Sequence, residues 1–216
     1  EEIATHPVDQ DHQGNKTLKP GDVKYKDMNG DGLINDADWR PIGYRQGGTP
    51  WVNFAFNLGF DWKGIDFRAE FVGATAYTYE QQGFLRYFDQ NKNISQYLWD
   101  HSTRLADIWD PNSEYIIGDY PIALRTRNSS DCTQWPSDFW YTNVTYLKMR
   151  NIELGYTLPK QWTSKVGISK FRVYVAGQNL LSFDNINFDI DPEITATNGM
   201  AYPNMKVVNV GFSMDF

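Results

Sequence analysis

The sequence predicts an all-β protein: a segment of an antiparallel transmembrane β-barrel that supplies about five strands and long outer loops. Three observations predict it. Stretches of roughly 10 residues alternate apolar with small or polar side chains at a period of two. The 216-residue chain is 16% aromatic, with 8 Trp, 13 Tyr and 13 Phe, yet its mean hydropathy is −0.57. Rings diluted in this way by Asn, Asp, Gln, Ser and Thr suit a sheet with one apolar and one polar face. The connections also alternate in length, as short turns on one side of a membrane and long loops on the other would.

Residues 1–50 are polar and rich in Gly and Pro, and they read as loop. Within them, residues 27–38 follow the spacing of a calcium loop. Oxygen donors stand at its first, third and fifth positions (Asp27, Asn29, Asp31), and Gly32 permits the sharp turn at the sixth. Leu33 would offer its backbone carbonyl, Asn35 would act through a water, and Asp38 would close the loop. Ile34 is the apolar residue expected to tie it to neighbouring structure. No amphipathic helices flank it, so the expectation is a structural Ca2+ staple rather than a sensor; an Asx-rich turn without metal is the other reading.

The first strand is expected over 51–62, where Val52, Phe54, Phe56, Leu58, Phe60 and Trp62 alternate with Asn53, Ala55, Asn57, Gly59 and Asp61. Lys63-Gly64 makes a tight turn into a second strand over 64–73. Residues 74–142 read as an outer loop. Inside it Ile94, Tyr97, Leu98, Leu105, Ile108 and Trp109 recur at helical spacing, with Asn93 as cap and Pro111 as stop. The third strand spans 144–158, and its apolar phase slips between Met149 and Ile152, which predicts a β-bulge. After an intermediate connection the fourth strand covers 170–182, followed by a second outer loop over 183–204. The last strand, 206–216, sets Val208, Val210, Phe212, Met214 and Phe216 on one face and Asn209, Gly211, Ser213 and Asp215 on the other.

Five strands leave two edges unpaired, which hydrocarbon does not tolerate, and single-chain bacterial barrels use an even strand number. More strands are therefore expected upstream or from another chain. The N-terminal Glu1-Glu2-Ile3-Ala4 shows no leader pattern, so an exported product is expected to begin before Glu1. No apolar run reaches the roughly 18 residues of a membrane helix. A net charge of −7, with no basic stripe, argues against nucleic acid as a partner. Cys132 is the only cysteine, so no internal disulfide forms, and His6, His12 and His101 stand apart from any nucleophile motif, so no enzyme is expected.

Several stretches in one order resemble the SusC/RagA-type TonB-dependent outer-membrane transporters. Pro20-Gly21-Asp22-Val23-Lys24-Tyr25-Lys26-Asp27 runs into the calcium-type loop, and Pro41-Ile42-Gly43, Trp109-Asp110-Pro111-Asn112 and Ser137-Asp138-Phe139-Trp140 follow. Then come Tyr146-Leu147-Lys148-Met149-Arg150-Asn151, Leu154-Gly155-Tyr156-Thr157-Leu158-Pro159, Gly177-Gln178-Asn179-Leu180, Asp191-Pro192-Glu193 and Tyr202-Pro203. The resemblance implies a 22-stranded barrel with an N-terminal plug in the outer membrane of a Gram-negative bacterium. It also implies energy from TonB, a SusD-like surface lipoprotein as lid, and import of oligosaccharides or peptides. The plug and most of the barrel do not lie within these residues.

The outer loops carry many rings, of which Tyr77, Tyr79, Trp99, Trp135 and Trp140 are candidates for stacking on a sugar, although rings of this kind also pack loops. Trp51, Trp62, Tyr156 and Phe183 are placed to form an interfacial girdle against outer-membrane lipid. The resemblance to other outer-membrane proteins implies that the terminal Phe216 is an assembly signal. A soluble, calcium-stapled β-sandwich that binds glycans is the alternative to the barrel.

Overall fold

The structure, a computed structural model, describes residues 2–44, 49–86, 95–107, 109–121, 135–186, 190–194, 200–202 and 204–216, with the side chains of Ala4 and Phe84 left aside. Five strands form one antiparallel sheet, and the chain divides into two compact units. One unit comprises Glu1–Gly43, Glu80–Thr142 and Ala196–Ala201; the other comprises Tyr44–Tyr79, Asn143–Thr195 and Tyr202–Phe216.

The sheet strands are β1 (Val52–Trp62), β2 (Ile65–Glu80), β5 (Tyr141–Thr157), β6 (Lys170–Asp184) and β7 (Val207–Asp215), in the order β1-β2-β5-β6-β7. The two-residue link between β1 and β2 works because Lys63 and Gly64 both take positive φ, 49° and 88°, the geometry of a tight hairpin turn whose twist matches its strands. The register then runs unbroken from Trp62↔Ile65 to Val52↔Thr75. A Cβ at Gly64 would approach the Thr157 carbonyl oxygen to 2.7 Å, so glycine serves both the turn and its close neighbour.

β2 continues to Glu80, seven residues past its expected end at Gly73. The run Gly73-Ala74-Thr75-Ala76 looks like a strand end in sequence. It stays in the strand, with Ala76 at φ 62°, because β5, its neighbour in the sheet, starts as early as Tyr141. The outer loop accordingly starts at Gln81, whose N–H donates to the Trp140 carbonyl at 2.9 Å. The register between β5 and β6 shifts between Met149 and Asn151, where the apolar phase slips. There Arg150 alone stands between the paired residues of β5, against Asn179 and Leu180 of β6, and Asn179 takes φ 52°. The extra residue is thus in β6, whereas the slip of phase is seen in β5.

The loop unit holds short elements: α1 (Glu2–Thr5), α2 (Gln96–His101), and a two-stranded ribbon of β3 (Arg104–Leu105) and β4 (Tyr115–Ile116). The long helix expected from Asn93 to Pro111 is replaced by α2. Its cap is Ser95, whose hydroxyl accepts from the Leu98 N–H at 3.2 Å, and it ends at His101. The helical spacing is overridden because the chain after His101 pairs with the stretch around Tyr120. Tyr120 N–H donates to His101 O and Thr103 N–H to Tyr120 O, each at 2.9 Å, and Leu105 joins the ribbon. Asn93, Ile94, Ile108 and Cys132 lie outside the described residues. Between β5 and β6 the chain forms α3 (Lys160–Thr163) and a further helical turn, Ser164–Val166.

Candidate functional site

Alternation gives the five-stranded sheet two chemically different faces. On one face Phe54, Phe56, Leu58 and Phe60 of β1, Leu154 of β5, Val173 and Val175 of β6, and Val208, Val210, Phe212 and Met214 of β7 are all exposed, Val210 at 79%. Rings stack along this face, Phe56 on Phe71 at 4.8 Å and Phe60 on Phe67 at 5.4 Å between centroids. Trp51, Trp62, Tyr156 and Phe183 are also exposed. An apolar surface this wide belongs against hydrocarbon, not water.

The other face carries a ladder of charges. Arg172 of β6 binds both oxygens of Asp66 on β2, with its Nε at 3.0 Å from Oδ1, and its Nη2 reaches Glu153 Oε1 on β5 at 2.5 Å. The guanidinium lies across Gly155, where any side chain would collide with it, and packs over the Tyr174 ring at 5.1 Å. Arg68 pairs with Asp61 at 2.7 Å, and Asn151 Nδ2 donates to Glu70 at 2.6 Å. Glu70 and Glu153 are thus fixed partners of basic or amide groups from neighbouring strands.

Nearer the loop end of β5, Lys148 is only 2% exposed and meets two carboxylates, Asp191 at 2.6 Å and Glu193 at 3.0 Å. Arg150 Nη2 binds Glu193 at 2.5 Å, the Tyr146 hydroxyl donates to Glu193 at 3.3 Å, and the Tyr77 hydroxyl donates to the Pro192 carbonyl at 2.7 Å. Burial pushes the carboxyls of Asp191 and Glu193 up, but their cationic and N–H partners outweigh it and hold both below the ordinary carboxylate range. The motif Asp191-Pro192-Glu193 is therefore a pin that fastens its loop to the sheet.

In the loop unit, residues 8–17 form a knot closed by side chains. Asp11 accepts from the N–H groups of Gln13, Asn15 and Thr17 and from the Thr17 hydroxyl, at 2.7–2.8 Å. Burial opposes ionisation there, yet these four donors keep the Asp11 carboxyl far below its usual range. Gln10, 1% exposed, donates to Val23 O at 2.8 Å and accepts from Tyr25 N–H at 2.9 Å. Asp9 bridges to Leu33, and Ile34 is buried beside it, so the calcium-type loop is tied to this knot as its apolar residue predicts.

The loop over 27–38 folds as nested turns. Asp27 accepts from the N–H groups of Asn29, Gly30 and Gly32, at 3.1, 2.5 and 2.8 Å, and Asp31 accepts from Leu33 N–H at 2.8 Å. Asp38 accepts from Met28 and Asn35 N–H groups at 2.8 and 2.9 Å. Gly30 and Gly32 take φ 82° and 83°. These N–H donors lower the three carboxyls below the ordinary range, although the acids push one another up. Among the described residues no three His, Cys, Asp or Glu side chains form a metal group by themselves. The Asn29 amide oxygen accepts from Asp31 N–H at 2.9 Å and the Asn35 amide oxygen from Ala37 N–H at 2.8 Å.

The five rings singled out for sugar stacking are not alike. Tyr77, Tyr79 and Trp140 are buried at 8%, 4% and 2% exposure, which corrects the sequence expectation, because a ring with both faces covered cannot stack on a ligand. Trp140 packs against Phe139 and Tyr120, with the Arg86 guanidinium 4.8 Å from its ring, and that arginine pairs with the buried Glu80 at 3.1 Å. Trp99 lies under Arg104 at 4.9 Å, and Trp135 packs on Tyr25 at 5.8 Å. Sequence reasoning missed Gln10, Asp11 and Lys148, since polar residues in loops and strands are ordinarily solvated. The signal for Lys148 was its place among Tyr146, Arg150 and the Asp-Pro-Glu run.

No family model matches the sequence. Three curated proteins of Formosa agariphila are similar to it. TonB-dependent receptor P3 is 25% identical over 221 residues, covering 94% of this chain and 20% of P3. TonB-dependent receptor P26 is 25% identical over 209 residues, covering 91% of this chain and 20% of P26. TonB-dependent receptor P39 is 22% identical over 229 residues, covering 94% of this chain and 19% of P39. The chain thus spans about one fifth of the length of the curated relatives it matches. Among solved structures, the RagAB peptide importer in its open-open state matches with TM-score 0.50 and 22% identity, covering 78% of this chain and 17% of that one. The RagAB peptide transporter matches with TM-score 0.51 and 22% identity over the same shares. This likeness gives the fold. The soluble sandwich is not favoured, because among the described residues no second sheet covers the apolar face. One apolar and one charge-laddered face, joined by tight turns at one end and long loops at the other, mark a β-barrel segment with the fold of the RagAB strands, and over nine tenths of its length the chain is similar to TonB-dependent receptors.

Proposed function

We propose that the protein to which this chain belongs is a TonB-dependent active importer of oligosaccharides or peptides, and that these residues supply barrel-wall strands and outer loops. The observation that carries the reading is similarity to TonB-dependent receptors along 94% of the chain. The polar, charge-paired face supports it, since a hydrophilic solute passes beside such a wall without meeting apolar surface. A SusD-like surface lipoprotein and TonB are its partners in this reading. Deleting the gene should abolish uptake of one labelled class, oligosaccharide or peptide. A protonophore, which removes the energy that TonB delivers, should do the same. Uptake of both classes at wild-type rates in the deletion strain would contradict the proposal.

The loop over 27–38 supports a second role, a structural calcium staple. Asp27, Asn29, Asp31, Leu33, Asn35 and Asp38 would hold the ion, and the ion would offset the mutual repulsion of three exposed carboxylates. Calcium at roughly 0.1–1 mM should change tryptophan fluorescence, with Trp39 the nearest exposed reporter, and Asp31→Ala should remove the change. An unresponsive wild-type protein would rule the staple out. Phe216, 87% exposed just beyond β7, is the proposed assembly signal, and its deletion should lower outer-membrane levels of the receptor.

A further inference from the structure

We infer that the turn end of the sheet is a binding site for anionic phospholipid of the periplasm-facing leaflet. In a barrel the tight turns lie on the periplasmic side, and here two connections meet at that end. The Lys63-Gly64 turn touches the end of β5, since Thr157 N–H donates to the Gly64 carbonyl at 2.7 Å. Three residues later the chain enters α3 and the helical turn after it. That turn is closed by Gly167 at φ 77° and by Ile168 N–H donating to Thr163 O at 3.1 Å, so its backbone is held at the sheet end.

This corner presents large apolar side chains and free cations together. Trp62, Trp162 and Val166 are 61%, 62% and 70% exposed. Lys63, Lys160 and Lys165 are exposed and form no ion pair among the described residues, Lys63 resting 5.0 Å over the Trp62 ring. The acids beside them are already taken, Asp61 by Arg68 and Asp66 by Arg172. A locally basic corner thus stands out in a chain of net charge −7.

Trp62 continues the apolar face of β1 that meets hydrocarbon, so the patch lies where acyl chains give way to headgroups. Tryptophan favours that depth, and lysine just beyond it meets lipid phosphate. The partner that fits is a lipid with an apolar tail and an anionic head. The inference goes beyond import and does not depend on what the receptor carries.

The test is native mass spectrometry of the full-length receptor in detergent, titrated with phosphatidylglycerol or phosphatidylcholine. The wild type should retain phosphatidylglycerol preferentially. Retention should weaken about fivefold for each lysine removed in K63Q, K160Q and K165Q, singly and combined, at unchanged heat-modifiable gel migration. W162A should weaken retention of both lipids and leave the preference intact. Equal retention of the two lipids by the wild type, or full retention by the triple variant, would overturn the assignment. So would lysines 160 and 165 that resist acetylation in lipid-free detergent, since that places another protein segment over the patch.

Discussion

The loop unit and the sheet unit satisfy their backbone polar groups by opposite means. In the sheet, strand ladders do it, as in the unbroken register of β1 on β2, so side chains are free to be apolar on one face and charged on the other. In the loop unit, the side chains of particular residues do it: Asp11 accepts from the N–H groups of residues 13, 15 and 17, Asp27 from those of residues 29, 30 and 32, and Gln10 donates to the Val23 carbonyl and accepts from Tyr25 N–H. A substitution in the sheet therefore acts through the face it changes, whereas one in the loop unit acts through the identity it removes. The pin at Lys148 is the exception, a residue of the sheet that behaves like one of the loops.

The largest effect is expected there. Lys148→Met leaves Asp191 and Glu193 without their common cation and should cost about 3–5 kcal/mol in urea unfolding of the full-length receptor, with new protease cleavage near 190–194. A loss no larger than that of a surface lysine would show that Arg150 alone pins the loop. Next, Val210→Arg on the apolar face should cost about 2–4 kcal/mol in lipid, while Asn209→Arg, one residue along on the polar face, should cost less than about 1 kcal/mol. Equal costs would break the assignment of the two faces.

In the loop unit, Asp11→Ala should cost about 2 kcal/mol locally, read by hydrogen exchange of Gln13, Asn15 and Thr17 amides. The folded-state carboxyl of Asp11 titrates below its unfolded value of about 3.9. Its contribution is therefore complete above about pH 4 and is lost as pH falls toward the folded value, so acid should protect these amides less and Asp11→Ala should flatten that dependence. The smallest effect is expected for Ser95→Ala, about 1 kcal/mol in the exchange of the Leu98 amide, with Ser95→Asp restoring it.

Some elements are legible in the sequence and others are not. The two edge strands, β1 and β7, exposed on both faces, show their alternation fully, because each side chain meets only lipid-like or polar surroundings and the period of two is undisturbed. The end of β2 is hidden: Tyr77, Thr78, Tyr79 and Glu80 are buried, so no contrast between faces marks them as strand. The helix spacing after Asn93 misleads because Leu105 and Tyr115 are recruited into a ribbon by pairing that no local pattern announces. Among candidate residues, the sharp turn at Gly32 is readable from the sequence, since its geometry is local. The burial of Tyr77, Tyr79 and Trp140, and the meeting of Lys148 with residues more than 40 positions away, are not.

By itself the sequence determined what is local and periodic: the Lys63-Gly64 turn, the sharp turn at Gly32 and the strand faces, and through those faces the barrel class. Only the tertiary structure decided which polar residues are partners. Arg172 with Asp66 and Glu153, and Lys148 with Asp191 and Glu193, are brought together by strand order and loop return. A charge in a sequence carries no record of its distance to another, and it is this distance that turns a solvated side chain into a pin.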